Sequence, residues 1–277
     1  MSSLMDKYLE ELHRDKPIVY NGLSFHPLTV EDYVLYFGAK PAFELMLASL
    51  PPAIARLSWF EALDALDREA AQNGQETAFA GMALLVLGKA LRLAPFKDPN
   101  SPERSYYPIR TMRNQQGRVA AVLVGDLQNP TILNMQAMRD IREIIAAQNC
   151  YEIPNENWNP ELVRAQQFLN RKKLDGIVFD LDALVHSVAI NAHAKASDVW
   201  DWTIKEFQAV QDAIDRTLHY QIFTSAEMTG FVKFKKGNPY PTWRFDKRAD
   251  LPGEFTTVDE LDKGANGLLG EPGIKTI

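Results

Sequence analysis

The stretch that most constrains this chain runs from Ser197 to Phe245, because it combines a strongly periodic helical segment with a hairpin signal and three of the five tryptophans. Thr203 predicts an N-cap: its hydroxyl can accept from a first-turn amide while Glu206, three residues on, reaches back to complete a capping box. Ile204, Phe207, Val210, Ile214 and Leu218 recur at spacings of three and four, which puts them on one face of a helix. Lys205, Gln208, Gln211, Asp212 and Asp215 fill the other face. The spacing predicts a turn after Ser225, then a strand from Phe231 to Phe234 and a break at Gly237, Asn238 and Pro239. Tyr240, Trp243 and Phe245 are expected on the return limb, where they either close a small core over the helix or form an exposed partner-binding surface.

A second constraint lies near the start. Asn21-Gly22 sits between Ile18-Val19-Tyr20 and Leu23-Ser24-Phe25, and Asn-Gly supplies the positive φ angles of a two-residue hairpin turn. A lone hairpin is marginal in water, so it must pack on helices or pair its edge with another chain. Residues 1–16 read as a short amphipathic helix or a frayed lead-in on which little depends. Thr29 to Asp32 opens a helix that Gly38 and Pro41 interrupt, with Pro41 starting a new helix that runs to Leu50. Apolar spacing then predicts helices over 53–71 and 76–93, giving a helical bundle across residues 28–94 whose last helix is central.

From Ala94 to Pro102 proline and polar residues take over, as at a linker. The expected organisation is therefore an N-terminal hairpin plus helical bundle over 1–94, a linker over 95–103, a C-terminal α+β region over 104–250, and an extended or mobile tail over 251–277. Within the third part a strand pair is expected between Tyr106 and Gly125. A helix opening at Asn129-Pro130 should end near Cys150, a loop should run from Pro154 to Pro160, and helices should follow over 161–173 and 182–196. The fold class is mainly α, of the α+β kind.

Composition bounds the function. At 277 residues, 46% apolar and 24% charged, the chain is an ordinary globular protein able to bury a sizeable core. A net charge of −6 argues against non-specific nucleic-acid binding, which needs a basic surface. The single cysteine, Cys150, cannot form an internal disulfide, and the N-terminus lacks the pattern of a signal peptide, so a reducing cytoplasm is the expected compartment. The longest apolar run, Met82 to Leu87, is far short of the roughly 20 residues a membrane span requires.

Few residues suggest chemistry. The run Gly176 to Asp182, GIVFDLD, resembles the first motif of the haloacid dehalogenase superfamily, in which the first aspartate is a nucleophile and the second an acid/base beside magnesium. Here Ala183-Leu184 replaces the glycine-threonine that should follow, and no strand-helix alternation continues, so Asp182 is expected to cap a helix. A magnesium-dependent phosphohydrolase using Asp180 and Asp182 stands as the alternative from another function class. His186 and His193 share a helical face at a spacing of seven, without a third ligand. No glycine-rich phosphate loop is present. Arg104, Arg110, Arg113 and Arg118, with Arg164, Arg171, Lys172 and Lys173, form a basic group that serves as a solvated face or meets an acidic partner. No catalytic, cofactor-binding or metal-binding residues are assigned.

IVYNGLSFHPLTVEDY at 18–33, MRDIREIIAAQNCYE at 138–152 and the segment from Trp200 to Trp243 together resemble a family encoded in the tail modules of bacteriophages, prophages and phage-derived contractile particles, the tail assembly chaperone-like or tail/baseplate accessory proteins. The resemblance implies a protein without substrate or cofactor that binds other tail proteins: tape-measure, tube or baseplate components. It implies residence in the bacterial host cytoplasm, or in the virion tail for a permanent structural component. The residues expected to carry such contacts are Tyr20 and Phe25 on the hairpin and Trp200, Trp202, Tyr240 and Trp243. A homo-oligomer is also compatible.

Overall fold

The computed structural model describes residues 3–98, 101–126, 128–151, 153–154, 180–229 and 238. The chain divides into two compact units, residues 1–209 and 210–277.

The first unit begins with two short helices, α1 (Ser3–Asp6) and α2 (Leu9–His13), followed by the hairpin β1 (Ile18–Tyr20) and β2 (Leu23–Phe25). The hairpin forms in the register that Asn-Gly dictates: Tyr20 faces Leu23 across the two-residue turn, and Asn21 and Gly22 both take positive φ, 50° and 75°. The lead-in is more than a frayed end. Met5 and Tyr8 are buried in the core, and the Tyr8 hydroxyl donates to the Val19 carbonyl at 3.3 Å.

A 3-10 turn at Val30–Asp32 leads into α3 (Tyr33–Phe43), which runs straight through Gly38 and contains Pro41. Pro41 therefore does not start a helix. It removes one helical hydrogen bond, and the burial of Ala39, Ala42 and Phe43 on the same helix outweighs that loss. Residues 47–49 form only a 3-10 turn. The helix expected over 53–71 is two: α4 (Pro52–Ala55) and α5 (Trp59–Gln72). Ser58 separates them, since its backbone amide donates to the Glu61 carboxylate at 2.9 Å in a capping box that favours a fresh start. The next helix, α6 (Phe79–Ala90), is capped from outside: the Asp67 carboxylate accepts from the amides of Phe79 and Ala80 at 2.9 and 2.8 Å, placing negative charge at the helix N-terminus. Its buried residues Ala83, Val86, Leu87 and Ala90 make α6 central, packed against both α3 and α5.

The expected linker is a strand pair, β3 (Phe96–Asp98) with β4 (Ser101–Tyr106). It leads to Tyr107, whose ring lies so close over Gly88 of α6 that a Cβ there would meet it at 2.2 Å. A three-stranded antiparallel sheet follows, in the order β5 (Ile109–Arg113), β6 (Val119–Val124), β7 (Thr131–Asn134). The strand pair between 106 and 125 thus forms as expected. Thr131–Asn134, however, extends the sheet, and α7 (Met135–Gln148) begins only where the Asn134 side chain accepts from the Ala137 amide at 2.8 Å. Residues 132 and 135 share a helical spacing, but ladder pairing with Ala121 to Val124 wins in the tertiary structure.

One core spans both sides of the expected boundary at 94. Phe25, Phe43, Phe60, Leu63, Val86 and Leu87 from before it meet Val122, Leu133, Met138, Ile141 and Ile144 from after it. Arg142 is buried at 2% exposure within this core. Its guanidinium donates to the Phe43 and Leu45 carbonyls at the C-terminal end of α3 and stacks over Trp59 with 5.1 Å to the ring centroid. Leaving those C-terminal carbonyls without donors inside an apolar core would be costly, which accounts for an arginine buried beside them.

After the next described stretch begins at Asp180, α8 (Leu181–Ala192) and α9 (Ala196–Trp200) lead to the long helix α10 (Ile204–Met228). Thr203 caps it as expected, accepting from the Glu206 amide at 3.0 Å. The start of α10 is tied down three ways: the Val30 amide donates to the Trp202 carbonyl and the Ile204 amide to the Leu28 carbonyl, both at 2.9 Å, Ile204 and Phe207 are buried, and Lys205 donates to the Leu12 carbonyl and to Asp15. The helix does not turn at Ser225; it continues to Met228. In the second unit the Asn238 side chain donates to Glu227 at 3.2 Å.

The fold is α+β as expected, with a hairpin on helices and a long amphipathic helix. The loop and helix expected over 155–173, the strand at 231–234 and the tail at 251–277 lie outside the described residues.

Candidate interaction surface

Four of the six residues expected to form a partner surface, Tyr20, Phe25, Trp200 and Trp202, are among the described residues. Phe25 is wholly buried, at 0% exposure, because the alternation of β2 points it into the core, and Gln148 donates to its carbonyl at 2.9 Å. It is a core residue and cannot meet a partner. Tyr20 is half-buried, and its hydroxyl donates to Asp140 of α7 at 2.5 Å. Burial, and then that bond, push its ionisation well above the usual tyrosine range. Trp200 and Trp202 are half-buried where α9 ends and the bridge to Val30 forms. Tyr240 and Trp243 lie outside the described residues.

On the β1 edge of the hairpin one outward backbone group is already used. The two-residue turn makes Tyr20 and Leu23 a bonded pair, so the backbone groups of Val19 point outward, and the Val19 carbonyl is already taken by Tyr8. Just past β2 the His26 amide donates to the Ala90 carbonyl. Burial first, then the charge of Arg92, hold the His26 imidazole below its ordinary pKa.

The aspartates of the dehalogenase-like run act locally. Asp180, and not Asp182, caps α8, accepting from the Ala183 amide at 3.2 Å. Asp182 lies one turn before His186 at 3.8 Å, both exposed. His193 occupies the left-handed position that ends the helix, with φ 55°. Among the described residues no group of three or more His, Cys, Asp or Glu side chains is placed to hold a metal ion. The basic group is partly spent on structure: Arg113 forks onto the Asp64 carboxylate at 2.6 and 2.9 Å, and Arg68 shares that acid. Arg164, Arg171, Lys172 and Lys173 lie outside the described residues.

An apolar stripe on α10 emerges instead. At 100° per residue, Phe207, Val210, Ile214, Leu218, Ile222 and Met228 share one side of the helix. Phe207 is buried, Val210 and Ile214 are half-buried, and exposure then climbs to 45% at Leu218, 62% at Ile222 and 84% at Met228. The periodicity up to Leu218 is plain in the sequence. Ile222 and Met228 escape it because Ser225 to Gly230 looks like a turn, although 222 continues the i+4 series. Among the described residues no helix is long and apolar enough to cross a membrane.

No protein-family model, curated protein or solved structure matches this chain.

Proposed function

We propose that this protein is a non-enzymatic accessory protein of a phage-type tail, acting by protein-protein contact to assist assembly of the tape-measure or tube proteins. The observation that carries this reading is the α10 stripe: a helix tied down at its first turns that offers Leu218, Ile222 and Met228 to solvent. A tape-measure chain is a long helix whose apolar side needs cover until a tube forms around it, and helix-to-helix contact through i, i+4 anchors is the matching mode. The resemblance of residues 18–33, 138–152 and 200–243 to tail-module proteins supports the same reading, and with it residence in the bacterial host cytoplasm during assembly.

Co-production with the tape-measure protein of the same tail module tests it. Wild-type chain is expected to raise the soluble fraction of the tape-measure protein and to co-elute with it, whereas a Leu218→Asp/Ile222→Asp chain does neither. Equal capture by both chains, or capture by neither, would overturn the reading. Magnesium-dependent hydrolysis of a phosphomonoester by the wild type, lost in a folded Asp180→Ala chain, would install the phosphohydrolase in its place.

A further inference from the structure

We infer that two copies of this chain pair through the edge of β7, joining their three-stranded sheets into one antiparallel sheet across a two-fold axis.

The ladder shows which groups are free. The Gly125 amide donates to the Pro108 carbonyl at 2.8 Å, so 108 and 125 form a bonded pair, and bonded pairs alternate along the β5–β6 ladder at 110 with 123 and 112 with 121. Val122 and Val124 therefore turn their backbone groups toward β7, where they meet Leu133 and Thr131. That leaves the amide and carbonyl of Ile132 and the amide of Asn134 pointing away from the sheet. Among the described residues none of these three groups has a hydrogen-bond partner.

The two edges of the sheet are treated differently. On β5 the register slips between Met112 and Arg113 and the strand carries Arg110 and Arg113, features that discourage another strand from adding. On β7 the residues Thr131-Ile132-Leu133-Asn134 carry no charge and no bulge, and Ile132 is 62% exposed. The apolar residues beside it, Leu123 and then Met112 with Ala121, share its face of the sheet.

A second copy is the occupant because the edge is self-complementary. A two-fold axis perpendicular to the sheet relates antiparallel strands and keeps faces matched, so it passes through a residue paired with itself. With Ile132 opposite Ile132 of the second copy, each amide donates to the other's carbonyl. Asn134 then falls opposite Pro130 of the second copy. The Asn134 amide donates to the Pro130 carbonyl, and the N–H that proline lacks is not missed, because the Asn134 carbonyl, at the N-cap of α7, is taken by the first helical bond. Every outward group of the edge finds a partner, and Ile132 meets Ile132 as an apolar cross-strand pair with no like charges opposed.

Ile132→Pro is the selective test, since it removes only an outward amide and leaves the bonds of β7 to β6 intact. Light scattering on size-exclusion eluates at tens of micromolar is expected to show a dimer for the wild type and a monomer for Ile132→Pro, with unchanged circular dichroism. A wild-type monomer would overturn the inference, and so would an Ile132→Pro dimer. Should the proline variant misfold, Ile132→Cys decides. Paired residues of a bonded antiparallel site sit ~5.5 Å apart at Cα, within disulfide range. Mild oxidation should therefore link most of the Ile132→Cys chain into covalent dimers, while wild type carrying only Cys150 stays monomeric on a denaturing gel. Equal crosslinking of the two chains would overturn the pairing.

Discussion

Two amphipathic helices of this protein, α7 and α10, have similar patterns in sequence and opposite fates in structure. On α7 the apolar side, Met138, Ile141, Ile144 and Ile145, is buried, and even its polar residues Arg142 and Gln148, with Asn149 that follows, are nine-tenths buried or more and bonded to backbone groups of other elements. On α10 burial is complete only at Ile204 and Phe207, and the same kind of stripe ends in open exposure at Ile222 and Met228. The difference teaches that periodicity states which side of a helix is apolar, while what covers that side depends on the polar residues between. A helix whose polar positions are satisfied by carbonyls of the fold is locked into it. A helix held by the fold only through its first turns leaves the rest of its stripe for something else.

The sharpest test is to remove one of the bonds that lock α7 in place. Arg142→Ala strands the Phe43 and Leu45 carbonyls and leaves a void against Trp59, so unfolding by urea should show a loss of about 3–5 kcal/mol. A loss below about 1 kcal/mol would mean those carbonyls reach water or another donor, and the contrast between the helices would weaken. Asn149→Ala comes next. Its side chain accepts from the Leu28 amide at 3.0 Å and donates to the Ile145 carbonyl at 2.7 Å, both buried, and their loss should cost about 2 kcal/mol.

The root of α10 should be more forgiving. Lys205 reaches the C-terminal carbonyl of α2 at Leu12 and the Asp15 carboxylate at 2.8 Å, but it remains partly exposed, so Lys205→Met should cost only about 1 kcal/mol in thermal unfolding. A cost as large as that of Arg142→Ala would show the helix start to be held by the fold as tightly as α7.

Much of this fold is legible from local rules. Asn21-Gly22 places the first hairpin, Thr203 starts α10, and the turn at Asn114 to Gly117 between apolar runs marks β5 and β6. The misses have a common physical cause, which is that tertiary contact overrides local punctuation. Pro41 looks like a helix start until the burial of Ala39, Ala42 and Phe43 is counted, and Asn129-Pro130 looks like one until β6 offers Thr131–Asn134 a ladder. The stretch from 95 to 103 looks like a linker because proline and polar residues dominate it, yet Phe96 to Asp98 pairs with the strand Ser101 to Tyr106 and the chain leads Tyr107 onto Gly88. For the interaction surface, aromatic type misled: Phe25 serves the core, and Tyr20 is bonded to Asp140. The exposed stripe has a quieter signal, the continuation of an i+4 series from Leu218 to Ile222 across what looks like a turn.

The smallest stability effect belongs to the stripe itself, and there the comparison is most exposed to failure. Leu218 and Ile222 are 45% and 62% exposed, so replacing each with Asp removes only part of a side chain's burial and adds charge where water already reaches. Asp is a poorer helix former than Leu or Ile, and the helix continues beyond both positions to Met228, so a small propensity cost remains, about 0.5 kcal/mol per site. The double variant should melt within a few degrees of wild type, keep its helical circular dichroism, and lose capture of the tape-measure protein. A drop comparable to Arg142→Ala would mean that the stripe is core after all, and α10 would then be a second α7 rather than its opposite.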